Sequence, residues 1–550
     1  METKRAFTAV ILSLIILLGY QYFFMPPPAP QPVAPTKEQS STPAVDVATV
    51  KPQTASSPVA PAAEGQNPPQ FSGKDIPVET ALYRAVISEN GGVVKSFTLK
   101  KYKETAAKGA PNKELIFTQA SGKMPLSFAW GNGIPPQAQL YQASQAALTV
   151  PPGGEGTLVM SAEPMPGLRL TRRLIFADSS YQIRLEVEVE NNTAQALQGT
   201  AFLETVNRPF AQTAKGTQGI FTGPALLLDH VLQEIKVDTL KKEGAKTLSG
   251  QLSWSAYEDS YFLCGVIPQA TGKSTVQLAL SGDDQVTTTL SGEAEILPPA
   301  GKKTFQYTVF MGPKKLSILK EVGFELDKII NFGWFDVLAK PTLFLLNFLY
   351  QYLHNYGVAI ILVTVLFKLL FWPISHKGMK SMKTMQKIQP KMAKLREKYA
   401  DDKERLNQEM MTLYKTYKIN PLGGCLPMVL QIPVFFSLYK VLLQTIELRH
   451  APFMLWMTDL SSPDRLAIGI DIPGLGGIPV LTLLMGGTMF LQQRMTPTTG
   501  DPAQAKVMMF LPVIFTFMFL NFASGLVLYW FVNNLLSIGQ QYVINRSVDV

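Results

Sequence analysis

The pattern of apolar and polar positions changes character several times along the 550 residues. Residues 6–24, AFTAVILSLIILLGYQYFF, form a continuous apolar run behind Lys4 and Arg5. At ~1.5 Å per residue it can cross a hydrocarbon core ~30 Å thick. A cleaved signal usually has a shorter core and a small-residue cleavage site, whereas this run ends in Tyr22-Phe23-Phe24-Met25 and three prolines. Residues 1–25 therefore read as an uncleaved anchor with a cytoplasmic N-terminus, a cleaved signal being the other reading. Residues 26–70 hold 12 prolines, much Ala, Ser, Thr and Gln, and few charges. That composition buries too little apolar surface to offset its ordering entropy, so a disordered, extended linker is expected.

From about 71 to 312 the period becomes two. Ile183, Leu185, Val187 and Val189 share one face of Gln182–Glu190, and Arg184, Glu186 and Glu188 share the other. Val276–Leu280, Val286–Leu290 and Phe305–Phe310 add further strand candidates, separated by turn signals such as Asn90-Gly91-Gly92 and Asn191-Asn192. A large antiparallel β-sandwich of two layers is expected, with enough chain to bury its own core. Cys264 reads as a small buried hydrophobe within one strand.

The period then turns helical. Lys314–Leu326 reads as a polar linker helix, and Phe332–Leu353 as an aromatic amphipathic helix broken at Lys340-Pro341. Its Trp334, Phe335, Phe344, Phe348, Tyr350 and Tyr352 suit a membrane interface, with burial under the sheet domain as the alternative. After this 313–354 stretch come five apolar runs, at about 356–373, 422–442, 475–491, 507–522 and 526–543. Residues 355–545 are thus expected to form a five-span core, with a polar helical hairpin at 374–420 and a loop at 492–506. Together with the anchor this makes a polytopic α-helical membrane protein of six spans.

Charge orients those spans. Residues 26–340 hold 29 basic and 29 acidic residues, and residues 341–550 hold 19 and 11, so the excess lies among the apolar runs. Membrane topology accounts for it better than a nucleic-acid partner. Residues 374–420 carry 12 Lys+Arg against 5 acids, which places that loop in the cytoplasm. Residues 443–473 carry Arg449 and Arg465 against Glu447, Asp459, Asp464 and Asp471, which places them on the other side. Both termini then lie in the cytoplasm and the sheet domain outside it.

Little in the chain advertises catalysis. The two cysteines fall in different regions, the four histidines are isolated, and neither a nucleotide loop nor a nucleophile elbow occurs. No cofactor, metal or enzymatic activity is expected. The polar residues inside the spans are few: Thr364, Lys368, Gln431, Asn521, Ser524, Asn533 and Asn534. Thr364 and Lys368 lie one helical turn apart on one side. A cation inside a span costs ~2.5–3.5 kcal/mol at the centre, so Lys368 either lines a wet functional cavity or snorkels to the interface. No acidic residue lies well inside a span, which weighs against a proton relay or a cation-coupled transporter.

The 374–420 hairpin is strongly patterned. Met379, Met382, Met385, Met392 and Leu395 recur at helical steps across a segment interrupted by Pro390. A turn at Ala400-Asp401-Asp402 leads to a second helix marked by Leu406, Met410, Leu413 and Tyr417. Lysines, among them Lys383, Lys387 and Lys391, fill the other positions. The methionine faces suit an adaptable surface for apolar segments, or else they pack on each other.

Four motifs carry a resemblance: NPLGGCLP (420–427), ELRHAPF (447–453), MTPTTGDP (495–502) and GLVLYWFVNN (525–534). With them the chain resembles, from end to end, the YidC/Oxa/Alb insertase family in its long, Gram-negative YidC form. The resemblance implies a bacterial inner-membrane location with a periplasmic sheet domain of β-super-sandwich type, similar to sugar-mutarotase folds. It implies a groove among the last five spans, open to cytoplasm and lipid, through which new membrane proteins insert and fold. Lys368 stands where the family usually has Arg, keeping the charge without the bidentate fork. Tyr529 and Trp530 match substrate-contacting positions. The implied partners are nascent membrane proteins, the Sec translocon with its accessory subunits, the ribosome and signal-recognition machinery at the hairpin, and the lipid bilayer. A solute transporter or channel, and a membrane-anchored periplasmic carbohydrate-active enzyme, are the competing readings.

Overall fold

Period-two alternation becomes strand at Gln182–Asn191, Ser274–Ser281, Gln285–Ser291 and Lys302–Pro313. Ile183, Leu185, Val187 and Val189 are all fully buried, as a one-sided strand requires. The computed structural model describes residues 73–118, 122–132, 139–210, 220–270, 272–282, 284–399, 402–417, 426–467, 469, 476–495 and 502–547. The expected anchor and proline linker lie outside these, as do Ala400-Asp401, the motif residues 420–425 and most of MTPTTGDP.

The described strands form sheets of nine, six and five strands. Lys302–Pro313 runs through the middle of the nine-stranded sheet, between Gln182–Asn191 and Phe262–Pro268. Opposite it the second layer is split between the two smaller sheets. Phe128 of the six-stranded sheet meets Phe305 at 6.0 Å, and Tyr83 of the five-stranded sheet meets Tyr181 at 6.4 Å. Arg172 reaches across from the large sheet, fully buried, donating to the carbonyls of Gly91 (3.2 Å) and Leu126 (2.8 Å). A buried cation is tolerable there because carbonyl oxygens replace its water.

One strand pair departs from the antiparallel expectation. Asp75–Glu79 pairs in parallel with Leu148–Thr149, at Val78↔Leu148. A parallel neighbour needs a long crossover, which the intervening strands supply, and no local alternation pattern reveals it. Cys264 is buried in Phe262–Pro268 as expected.

The chain leaves the sheets through a buried ion pair. Lys314 Nζ donates to Glu258 Oε2 at 2.5 Å and to the Asp259 carbonyl at 3.1 Å, and both ionic side chains are almost wholly buried. Burial raises the Glu258 carboxyl to about 7, with Lys314 opposing the rise.

Helices are numbered in chain order: α1 Val237–Glu243, within the sheet domain, then α2 Leu316–Val322 and α3 Asp336–Leu353. They continue as α4 Tyr356–Leu370, α5 Trp372–Lys398, α6 Lys403–Thr416, α7 Leu426–Gln444, α8 Val480–Met495, α9 Pro502–Phe519 and α10 Ser524–Ser547. Two expected interruptions are absent. α3 passes through Pro341 and α5 through Pro390. Pro341 is exposed, and Val337, whose carbonyl it leaves unbonded, is 88% exposed. The break comes instead at Phe371, where α4 stops and the chain bends by 62° into α5. Phe371 and Trp372 lead into Pro373, which sits in the first turn of the new helix, where its missing N–H costs no bond.

α3 exposes Trp334 just before it, Phe344, Phe348 and Tyr352. On its opposite side Leu343 and Leu346 are buried. Among the described residues no single helix is long and apolar enough to cross a membrane, while α4 with Trp372–Met385, bent by 62°, matches a span in length and composition only. The polar loop between α7 and α8 meets the sheet domain. Arg449 donates to the Glu104 carbonyl at 2.9 Å and lies over the rings of Phe262 (5.3 Å) and Tyr261 (5.9 Å).

Candidate functional site, a polar cavity at the end of α4

α4 begins with Asn355, whose side chain accepts from the Val358 amide at 3.1 Å. Two turns on, the buried Thr364 returns its hydroxyl to the Ile360 carbonyl at 2.7 Å, so it adds polarity without an unpaired group. Lys368 follows in the last turn, where free carbonyls and the helix dipole favour a cation.

Facing it, α10 presents Asn533 and Ser537, four residues apart and so on one side of the helix. Lys368 Nζ donates to Ser537 Oγ at 2.7 Å and to Asn533 Oδ1 at 3.3 Å. Ser537 Oγ in turn donates to the Asn533 carbonyl at 2.7 Å. Around the ammonium lies a cavity of ≈ 30 Å³, room for a water or two. Thr364, Lys368, Ser375, Gln431, Tyr529 and Asn533 line it with polar groups, and Phe367, Phe371 and Val434 complete the wall. No carboxylate lines it among the described residues.

Five of the nine expected groove residues thus converge: Thr364, Lys368, Gln431, Tyr529 and Asn533. The other four stand elsewhere. Trp530, about 100° round the helix from Tyr529, packs edge-on against Phe435 (5.1 Å) and Phe519 (5.5 Å). Asn534 faces α8, 3.5 Å from Thr488 Oγ1. Asn521 is exposed beyond the far end of α10, where it accepts from Arg465 at 3.0 Å. Ser524 starts α10 and donates to the Asp459 carbonyl at 2.9 Å.

Ser524 belongs to a separate network at the N-terminal end of α10. Asp459 accepts from the His450 amide and the Ser461 and Ser462 hydroxyls, while Asp464 accepts from Trp456 Nε1 and the Leu481 and Thr482 amides at the head of α8. Sequence reasoning missed Ser537 and Ser375. Ser537 had a signal, the Asn533, Ser537, Gln541 spacing of four along one side of the helix.

In the hairpin, Met385, Ile388 and Met392 of α5 are buried against Met410, Leu413 and Tyr414 of α6. At these positions the methionines pack within the hairpin, the second of the two readings, with Met410 partly buried. Met379 is half-buried on α5, and the side chain of Met382 lies outside the described residues. Lys387 and Lys391 are exposed, Lys391 lying over the Tyr417 ring at 4.8 Å, and Lys383 is half-buried. Lys391, Lys394 and Lys398 line a cleft whose other wall carries Glu409, Thr412 and Thr416.

The described residues thus join a large sheet domain to an apolar helical region that holds a cation in a polar cavity, a two-part build that two family models divide between them. Residues 75–345 match the family described as YidC periplasmic domain, and residues 348–549 the family described as 60Kd inner membrane protein. The Membrane protein insertase YidC of Syntrophus aciditrophicus is 43% identical over 565 residues, 99% of each chain. Its counterpart in Citrifermentans bemidjiense is 42% identical over 554 residues, again 99% of each. A solved active YidC insertase with its first transmembrane domain resolved is 19% identical at a TM-score of 0.37, covering 86% of this chain and 93% of that one. The chain belongs to the YidC membrane protein insertase family.

Proposed function

We propose that this protein inserts newly made membrane proteins into the bacterial inner membrane, without nucleotide hydrolysis or other catalysis of its own. The observation that carries the reading is the polar cavity at Lys368, walled by apolar helices and empty of carboxylates among the described residues. In this reading α4, α7, α8, α9 and α10 are the core spans, the anchor is a sixth, both termini are cytoplasmic and the sheet domain is periplasmic. The charge balance of residues 374–420 supports that orientation.

The energetics follow from the bilayer. Burying ~20 apolar residues of a substrate in hydrocarbon drives the step, and the barrier is the passage of its polar flank. α4 has 15 residues, about 22 Å of helix, shorter than a ~30 Å core. A short span thins the bilayer locally, and a cation in a wet cavity offers the flank a charged waypoint. The flank enters from the hairpin side, meets Lys368, and the apolar segment slides past Tyr529 into lipid. Acidic flanks gain most. The basic cleft of the hairpin is the proposed docking surface for the ribosome or signal-recognition machinery, and the Sec translocon is the proposed lateral partner.

The test is reconstitution. Proteoliposomes holding the purified protein should insert a single-span substrate and pass no small solutes. Solute flux without insertion would favour a transporter. A periplasmic enzyme would instead lose all function on deletion of residues 76–310, a deletion the insertase reading expects to be largely tolerated.

A further inference from the structure

We infer that Ser537 is a positioning residue that aims the Lys368 ammonium, and that with Asn533 it tunes the cavity to one substrate carboxylate at a time. The inference rests on the insertase reading and deepens it.

A lysine ammonium is a compact point charge on a flexible four-carbon stem, so its direction must come from its surroundings. Here α10 supplies that direction. Ser537 spends its own proton on the Asn533 carbonyl at 2.7 Å, which leaves its oxygen to accept from Lys368, also at 2.7 Å. Asn533 Oδ1 accepts a second N–H at 3.3 Å. An ammonium has three donors. Among the described residues two are engaged, and the third is left for the cavity that Gln431 and Tyr529 also line. A single free N–H recognises a carboxylate oxygen singly, in contrast to the paired donors of a guanidinium.

Removing the Ser537 oxygen leaves the charge in place and frees the stem to swing. The loss should therefore fall on substrates that use the charge. The experiment compares insertion, in proteoliposomes of the full chain, of one single-span reporter with an acidic or a neutral translocated tail. Ser537→Ala should slow the acidic reporter about tenfold, the order expected for a hydrogen bond to a charged group, and change the neutral one less than twofold. Ser537→Thr, which keeps the hydroxyl, should restore the acidic reporter. A merely structural serine would slow both reporters together and would not separate them by charge.

Lys368→Met is the control that separates the two levels of argument. If it slows the acidic reporter selectively while Ser537→Ala does not, the positioning role is overturned and the insertase reading stands. If Lys368→Met shows no preference for tail charge, the reading beneath it fails too. Equal slowing of both reporters by Ser537→Ala, or no rescue by Ser537→Thr, overturns the inference.

Discussion

Gly357 sits in the first turn of α4, where a Cβ would lie 2.0 Å from Phe453 Cδ2 and 2.3 Å from its Cγ. Contacts under 3 Å cannot stand, so Gly357→Ala must displace the ring or the helix. The ring is poorly placed to yield. Its residue donates its amide to the Met457 carbonyl at 2.9 Å and accepts from Asn355 Nδ2 at 3.0 Å, which ties it to the cap of α4 itself. Overpacking of this kind costs ~1–3 kcal/mol, against which alanine's helix propensity returns at most ~1 kcal/mol. The expected net is a destabilisation of about 1–2 kcal/mol, read as a lower thermal midpoint of the detergent-purified protein. Phe453→Ala empties the space, so Gly357→Ala added to it should cost nothing further, a coupling that only contact between the two residues produces. A Gly357→Ala protein as stable as the parent, or a cost that persists when Phe453 is alanine, would refute the reasoning.

Three further outcomes follow from the sheet domain and the hairpin. Burial holds Glu258 near 7, above its ordinary 4.5, so its protonated form is favoured by folding. The stability this contributes is full below about 4.5 and is lost as pH rises through about 7; the thermal midpoint should fall across that window, and Glu258→Gln should flatten the fall. Arg449→Ala removes the bond to the Glu104 carbonyl and the cover over Phe262, a loss of about 2 kcal/mol that limited proteolysis should register as faster cutting between sheet domain and helices; unchanged cutting would contradict the contact. Met385→Asp puts a carboxylate into the hairpin core, and hydrogen exchange should show α5 and α6 losing protection together from residue 385 onward; exchange confined to one helix would argue that they do not share a core.

The strands and helices were legible because burial imposes a period on the sequence. One-sided burial wrote Ile183, Leu185, Val187 and Val189 as an alternation, and the apolar runs after residue 355 foreshadowed α4 and α7 to α10. Long-range pairing left no such trace, so the parallel join of Val78 to Leu148 and the split second layer had to be seen. The prolines misled because an exposed face tolerates the carbonyl they strand, as at Pro341, while the true break needed a proline at the start of a new helix. Within the cavity, Lys368 and Thr364 were visible as polar residues in an apolar run. Direction round a helix was not, which is why Trp530 and Asn534, next to cavity residues in sequence, face other helices. Asn521 and Ser524 look like span residues by composition, yet they serve the N-terminal end of α10.

The central claim is that the cavity at the end of α4 is a path for substrate. The most direct measurement places a photo-crosslinking side chain at Thr364, Tyr529 or Asn521 in turn and illuminates the protein with a ribosome-stalled single-span membrane protein. The account predicts adducts from Thr364 and Tyr529, which line the cavity, and background only from Asn521, at the opposite end of the helix. Equal adducts from all three positions, or none from Thr364 and Tyr529, would contradict it.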